Sequence, residues 1–361
     1  MRRLVIWIVL ALGCGAASCS GHGNTCPEVP AAEGAEVAPG SQAAAPDGRH
    51  SPVATVEDTA NVDLRVRTYD VLVADDLAVR GGSLGVTLVS LETPSSPREL
   101  GRFVLPNSVN GLALLRPELL AVACASEGLF VLNIADPAAP TQVAHFDTDG
   151  ALWRLRSRGD DLLAADGHQG VAVLRAEASG DGVRIREIGR WASIGYVRHA
   201  EPWGDGRALV AEGREGLAAL DLSDPARPRL ISRVDTEGEA RAVAIRGDVA
   251  FVADFHPGVV AVDVSDPEHM TFVGNLETSD SARDVIVLGD VVAVAIGTDG
   301  VVFVDAANPA SMQVVSRYET ALPAVRFARA GEHLAVAVDS GGMEILDVSD
   351  PAHPRQFATA R

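Results

Sequence analysis

Aromatic side chains make up only 4% of this 361-residue sequence, although 47% of it is hydrophobic. Its core must therefore be built from Val, Ala, Leu and Ile. Basic residues are also scarce, 30 against 49 acidic ones. Binding a phosphate backbone needs a concentrated basic face, so the composition excludes nucleic acid as the partner. The acidic balance fits a self-repelling surface instead. Four cysteines are present, and Cys26 and Cys124 differ sharply in setting: one lies in a polar stretch, the other in the apolar run LLAVACA. Such a pair makes no disulfide framework. No His or Cys stands at ligand spacing around either, so no metal or cofactor is expected. Long apolar runs are missing too. LVIWIVLAL, residues 4–12, has nine residues after Met1-Arg2-Arg3. That is too short for a membrane-spanning helix and has the form of an export signal.

The small residues and cysteines that follow, GCGAASCS, resemble the lipobox of bacterial lipoproteins, in which the cysteine after the cleavage site is lipidated. Cys19 and Cys14 are the candidates. Cys19 is preferred, because cleavage before Cys14 leaves a very short signal; a plain secretory cut near Ala17–Ser18 is the alternative. Residues 1–18 are thus expected to be a signal peptide of lipoprotein type. Residues 19–60, rich in Ala, Pro, Gly, Ser and Glu without apolar periodicity, read as a disordered tether. A tether of this length holds a domain about 30–40 Å from its anchor. The localisation implied is export, with a lipid anchor in the bacterial outer membrane or at the cell surface.

The rest of the chain repeats. A glycine opening an apolar phrase occurs at Gly85, Gly128, Gly170, Gly216, Gly258, Gly300 and Gly342, in steps of 43, 42, 46, 42, 42 and 42 residues. Each unit holds four short runs rich in β-branched residues and bounded by turn residues. In the fifth unit they are RAVAI (241–245), VAFVA (249–253), VVAVDV (259–264) and TFVGNL (271–276). The third run stops at Ser-Asp-Pro, because Pro has no N–H for the ladder and pre-sets a turn, while Ser and Asp side chains bond the turn backbone. Four strands in about 42 residues predict one propeller blade. The fold expected is all-β: a seven-bladed β-propeller of four-stranded blades spanning residues 61–361. Two closures of the ring stay open. The first and last blades pack side by side, or Val62 to Thr68 adds a strand to the seventh blade.

The phrases VVAVDVSDP (259–267), EILDVSDP (344–351) and GDVAFVAD (247–254) resemble the LVIVD repeat family of extracytoplasmic β-propellers, over about residues 66–361. Unit three departs from the pattern, with Ala176-Glu-Ala-Ser-Gly-Asp-Gly182 in place of Asp-Pro, and unit one has Glu-Thr-Pro instead of Ser-Asp-Pro.

Chemistry in such a fold is expected at one end of the central channel. Near the start of the innermost strand stand Arg154, Arg198, Arg241, Arg283 and Arg326, spaced by 44, 43, 42 and 43 residues. They line a mouth that binds an anionic or carboxylate group through forked contacts. Alternatively each pairs with an acid of a neighbouring loop and staples blade to blade. The loops before the glycines carry such acids: Glu127, Asp166, Glu212, Asp254, Asp299 and Asp339. His168 and His256 lie two residues beyond Asp166 and Asp254. These Asp–His pairs offer acid–base groups, but two pairs fall short of a metal set. DTDG (147–150) and GTDG (297–300) look only slightly like calcium loops. Trp153, Trp191, Tyr196, His199 and Trp203 cluster near the degenerate unit, either as partner anchors or as core. No nucleophile elbow, P-loop or H-E-x-x-H is present.

The function expected is a non-catalytic, envelope-anchored scaffold that binds an envelope or extracellular protein or ligand. Its contact face is formed by the arginines, the acidic loops and the aromatics Trp153, Trp191 and Tyr196. The alternative is a hydrolase or lyase at the channel mouth using Asp166, His168, Asp254 and His256.

Overall fold

The computed structural model describes residues 67–179 and 182–360. The expected signal, tether and lipidation cysteines Cys14 and Cys19 lie outside the described residues. Seven antiparallel sheets of four strands follow one another along the chain, at 68–104, 111–146, 154–191, 199–234, 242–277, 284–318 and 324–360. Each is one blade, and each strand pairs with the next in sequence. The strands of blade five, Ala242–Arg246, Val249–Ala253, Gly258–Asp263 and Thr271–Glu277, coincide with the four apolar runs read from the sequence. The first strand of every blade touches the first strands of both neighbours, so these seven strands line the axis.

Aliphatic packing between blades follows from the shortage of aromatics. Buried side chains fall into seven clusters, one at each blade interface. Between blades five and six, for example, Val259, Ala261, Val292, Val294 and Val302 interleave. Burying a Val side chain contributes roughly 1.5–3 kcal/mol, so many small residues replace a few aromatic wedges. The seventh cluster joins Val71, Ala78 and Val89 of blade one to Ala335, Met343 and Ile345 of blade seven. Arg80 also donates to the carbonyl of Ala360 at 3.2 Å. Among the described residues blade seven has four strands of its own and Thr68 pairs with Gly82 in blade one, so blades one and seven pack side by side. Residues 62–66 of the other expected closure lie outside the described residues.

The Ser-Asp-Pro phrase is a corner, as its residues dictate. Asp263 accepts from the Ser265 amide at 2.8 Å and Asp266 from the Glu268 amide at 2.9 Å. It is also a lock between blades. Ser232 on the outer strand of blade four donates to the carbonyl of Pro267 at 2.7 Å, and Ser316 of blade six to that of Pro351 at 2.6 Å. At the same register Gly189 approaches so closely that a Cβ there would meet the Pro225 carbonyl at 2.2 Å. Blade three, which lacks the corner, instead extends a long hairpin from Val171–Ser179 and Gly182–Trp191.

Candidate functional site

The five arginines that look alike by spacing divide into two layers. Arg198, Arg241 and Arg283 sit just ahead of the first strand, each donating its amide to the last residue of the second strand. Trp153 holds this place in blade three. Arg154 and Arg326 lie one register further in, opposite Ala165 and Ala337, as His199 lies opposite Ala211 and Asp284 opposite Ala295. The one-residue shift is hidden because the arginine steps of 42 to 44 residues fall within the variation of the repeat itself, whose steps run from 42 to 46. The uniform ring of five is corrected to a rim of three arginines and a deeper pair.

The deeper layer is a polar cluster on the axis. Arg154 of blade three reaches across the channel to Asp284 of blade six, Nη2 to Oδ1 2.8 Å, with both side chains 3% exposed. The other Asp284 oxygen accepts from the Phe327 amide at 3.0 Å. Asp70 and His199 make the same step to the next blade, accepting from the Leu112 amide at 2.7 Å and the Val243 amide at 3.1 Å. Burial, with the charges of Arg154 and Arg156, lowers the His199 pKa to about 3, so the ring is neutral. Burial opposes ionisation of Glu201, yet Arg156 and His199 hold its carboxyl at about 2. Arg156 Nε donates to it at 2.7 Å. Burial and the Arg154 charge bring Arg326 down to about 10. A cavity of about 280 Å³ runs from the Arg154–Asp284 bridge past Arg156 and Glu201, away from the rim, along a wall that includes Val243, Ile286 and Phe327.

The rim carries the partly exposed chemistry. Arg198 lies over Trp153 at 5.0 Å and over Tyr196 at 5.1 Å. Trp153 donates its indole N–H to the Tyr196 hydroxyl, and His168 packs edge-on against Tyr196 at 4.6 Å. Glu239 bridges Arg198 and Arg241, at 2.7 and 3.2 Å. Burial opposes ionisation of this carboxyl, but the Arg241 and Arg198 charges hold it below its usual range. Arg241 in turn lies 3.6 Å from the centre of the Phe255 ring, which neighbours His256 at 4.6 Å. Phe255 has φ 56°, in the left-handed region, where the same loop position holds Gly167, Gly213 and Gly297, and the small Ala125 at φ 44° in blade two. Each of these residues bridges to the next blade, Phe255 to Ala282. A bulky residue there costs about 1–3 kcal/mol, a cost that tends to be retained at functional sites.

Other expected residues have different partners. Trp191 is 8% exposed and belongs to the apolar cluster between blades three and four, which removes it from the contact face; Trp203, at 9%, is core as well. The loop acids do not staple the rim arginines. Asp166 is held by Arg190 at 2.7 Å and Glu212 by Arg233 at 2.7 Å, both from the outer strand of the same blade. Asp254 accepts from the Thr236 hydroxyl at 2.6 Å. Thus Asp166 is engaged by arginine rather than by His168, and Asp254 by threonine rather than by His256. Among the described residues no group of three or more His, Cys, Asp or Glu is placed to hold a metal.

Sequence reasoning passed over Phe255, although it stands where three aligned units have glycine. It also passed over Glu239 and the axial residues Asp70, Arg156, Glu201 and Asp284. For Arg156 and Glu201 the signal was available: RLRSR and HAEPW replace the apolar AVAIR of blade five.

The LVIVD repeat family matches residues 206–236, 237–278, 280–320 and 328–357, in the last four blades. No protein of curated function matches the chain. Solved structures do. A candidate 6-phosphogluconolactonase from Bacteroides uniformis superposes with a TM-score of 0.65 at 14% identity, covering 76% of this chain and 91% of that one. Saccharomyces cerevisiae Sqt1 gives 0.60 at 9% identity, over 82% and 86%. PorZ, an essential bacterial surface component of the type-IX secretion system of Porphyromonas gingivalis, gives 0.59 at 16% identity, over 82% of this chain and 38% of PorZ. At such identities the likeness is one of fold, and this fold serves unrelated functions.

Proposed function

We propose that this chain, a seven-bladed β-propeller carrying LVIVD repeats, is a binding scaffold, exported and tethered at the cell envelope, that docks a protein partner on the rim of blades three to five. The observation that carries the reading is the continuous line Trp153–Tyr196–Arg198–Glu239–Arg241–Phe255, in which two arginines lie over aromatic rings and share one carboxylate. Trp, Tyr and Arg are the residues that most often anchor protein interfaces. Here they are held rigid, so little side-chain entropy is lost on docking. The left-handed Phe255 points the same way, since glycine would meet the backbone requirement without strain. The export and tether come from residues 1–60 of the sequence, and the surface role of PorZ is a parallel in a protein of the same fold.

The hydrolase or lyase alternative draws on Asp254, whose carboxyl burial pushes up to about 7, the range of a general base. The binding reading is preferred because Asp254 and Asp166 bond Thr236 and Arg190 and leave their neighbouring histidines to aromatic contacts. The test is affinity capture from native envelopes with wild type and a Trp153→Ala/Tyr196→Ala variant of matched stability. One protein recovered by wild type and lost by the variant is expected. Equal recovery by both overturns the assignment of the rim.

A further inference from the structure

The acid that ends the second strand is neutralised differently from blade to blade. In blade three Asp166 takes Arg190 Nη1 at 2.7 Å, and in blade four Glu212 takes Arg233 Nε at 2.7 Å and Nη2 at 3.0 Å. Both arginines occupy the same rung of the outer strand, Arg190 opposite Ala172 and Arg233 opposite Ala218. Blade six has Ile296 in place of the acid, and its outer-strand Arg317, opposite Val302, donates to Ser279 at 3.1 Å. Blade five keeps the acid without the cation: opposite Val260 stands Asn275.

Asp254 is 0% exposed, like Asp166 and Glu212. Its Oδ2 lies against the Gly238 backbone, as Asp166 Oδ1 lies against Gly150. The difference lies at the other oxygen. Asp254 is met by neutral donors, the Thr236 hydroxyl at Oδ1 and the Gly238 backbone amide, whereas the matching oxygen of Asp166 meets a guanidinium. Burial raises the Asp254 pKa most, and the nearby charges of Asp235 and Glu237 add to it rather than relieve it. An ionised carboxylate here lacks the counter-charge that a buried acid needs.

We propose that Asp254 is the receptor for a guanidinium from outside the chain, an arginine side chain of the docked partner that takes the place Arg190 and Arg233 hold in their own blades. This rests on the rim reading, and Phe255 links the two, being the residue after Asp254 and the one that stacks with Arg241. Asp235 and Glu237, both exposed, flank the position with negative charge that draws a cation toward it. The fork of a guanidinium also suits a carboxylate better than a point charge does. Asp254 is sealed in the unbound chain, so an isolated arginine binds weakly, in roughly the millimolar range.

The probe is N-acetyl-arginine methylamide, with the norleucine analogue as uncharged control and the lysine analogue to separate guanidinium from ammonium. Binding is followed by NMR at the Thr236 methyl and the Phe255 amide. Wild type is expected to saturate with the arginine probe and not with norleucine. Asp254→Asn and Asn275→Arg are both expected to weaken binding at least about tenfold. Asn275→Arg supplies the missing cation from within, so its Tm should rise, which shows that its loss of binding is not a loss of fold. Probe binding is read on the chain without any partner, so a failure of the rim reading would appear in the capture experiment and not here. Absence of saturable binding to wild type, equal binding of norleucine, or unchanged binding to Asn275→Arg each overturns the assignment.

Discussion

Asp284→Ala is the substitution that tests the axial cluster most severely. Asp284 meets Arg154 across the channel at 2.8 Å, and both side chains are 3% exposed. Burial opposes its ionisation, but Arg154 and Arg326 hold the carboxyl below its usual range. Removing it strands these two guanidiniums close together and leaves the Phe327 amide without its acceptor. Breaking a buried pair by deleting one partner costs about 3–5 kcal/mol, and an orphaned buried donor about 1–3 kcal/mol. These terms overlap, so a total of about 4–6 kcal/mol is expected. Unfolding of a domain this size carries roughly 0.6 kcal/mol per kelvin of entropy, so Tm should fall by about 7–10 °C. Calorimetry and urea denaturation measure both quantities. Pairing Asp284→Leu with Arg154→Met should recover much of the loss, because neutral side chains then replace both charges. A single-variant loss under about 1 kcal/mol would refute the reasoning, since the pair would then be hydrated and exert no hold between blades three and six.

Three further outcomes follow from the same contacts. Asp254 is pushed up to about 7 by burial, so the native chain retains a proton that the unfolded chain releases near pH 4. Stability should therefore fall as pH rises from about 4 to 7, by at most about 4 kcal/mol, and Asp254→Asn should remove that slope in urea titrations at several pH values. Phe255→Gly should leave stability within about 1 kcal/mol, because relief of left-handed strain offsets the lost Arg241 contact and the flexibility of glycine; its partner capture should nonetheless fail. Gly189→Ala places a methyl 2.2 Å from the Pro225 carbonyl, so it should cost about 1–3 kcal/mol by overpacking the lock between blades three and four, seen as a lower urea midpoint.

Much of the architecture was legible because it depends on strictly local chemistry. A glycine with positive φ opens the third strand of each blade, and Asp-Pro follows that strand in blades two, four, five and seven, so the period of about 42 residues counts the blades directly. Register within the first strand was not legible. Arg326 stands two residues after the bridging Ala324, as Asp284 does after Ala282, while the rim arginines stand only one residue after theirs. Steps that themselves vary by a few residues could not reveal that difference of one. The opposition of Arg154 and Asp284 was hidden as well, since it needs the ring to close and bring blade three to face blade six. Glu239 looked like one more surface acid, because its role depends on Arg198 and Arg241 both reaching it from adjacent blades. Trp191 could not be told from Trp153 by type or position. Trp191 is buried within the interface between blades three and four, whereas Trp153 packs against the edge of the same cluster and stays half-buried at the rim.

The central claim is that the rim of blades three to five, and not the opposite face, docks a partner. Site-specific photo-crosslinking in native envelopes tests it most directly, with the reactive residue placed at position 196 on the rim or at position 268 in an Asp-Pro corner of the far face. The account predicts one protein crosslinked from position 196 and none from position 268. Crosslinks from position 268 alone, or the same products from both positions, would contradict it.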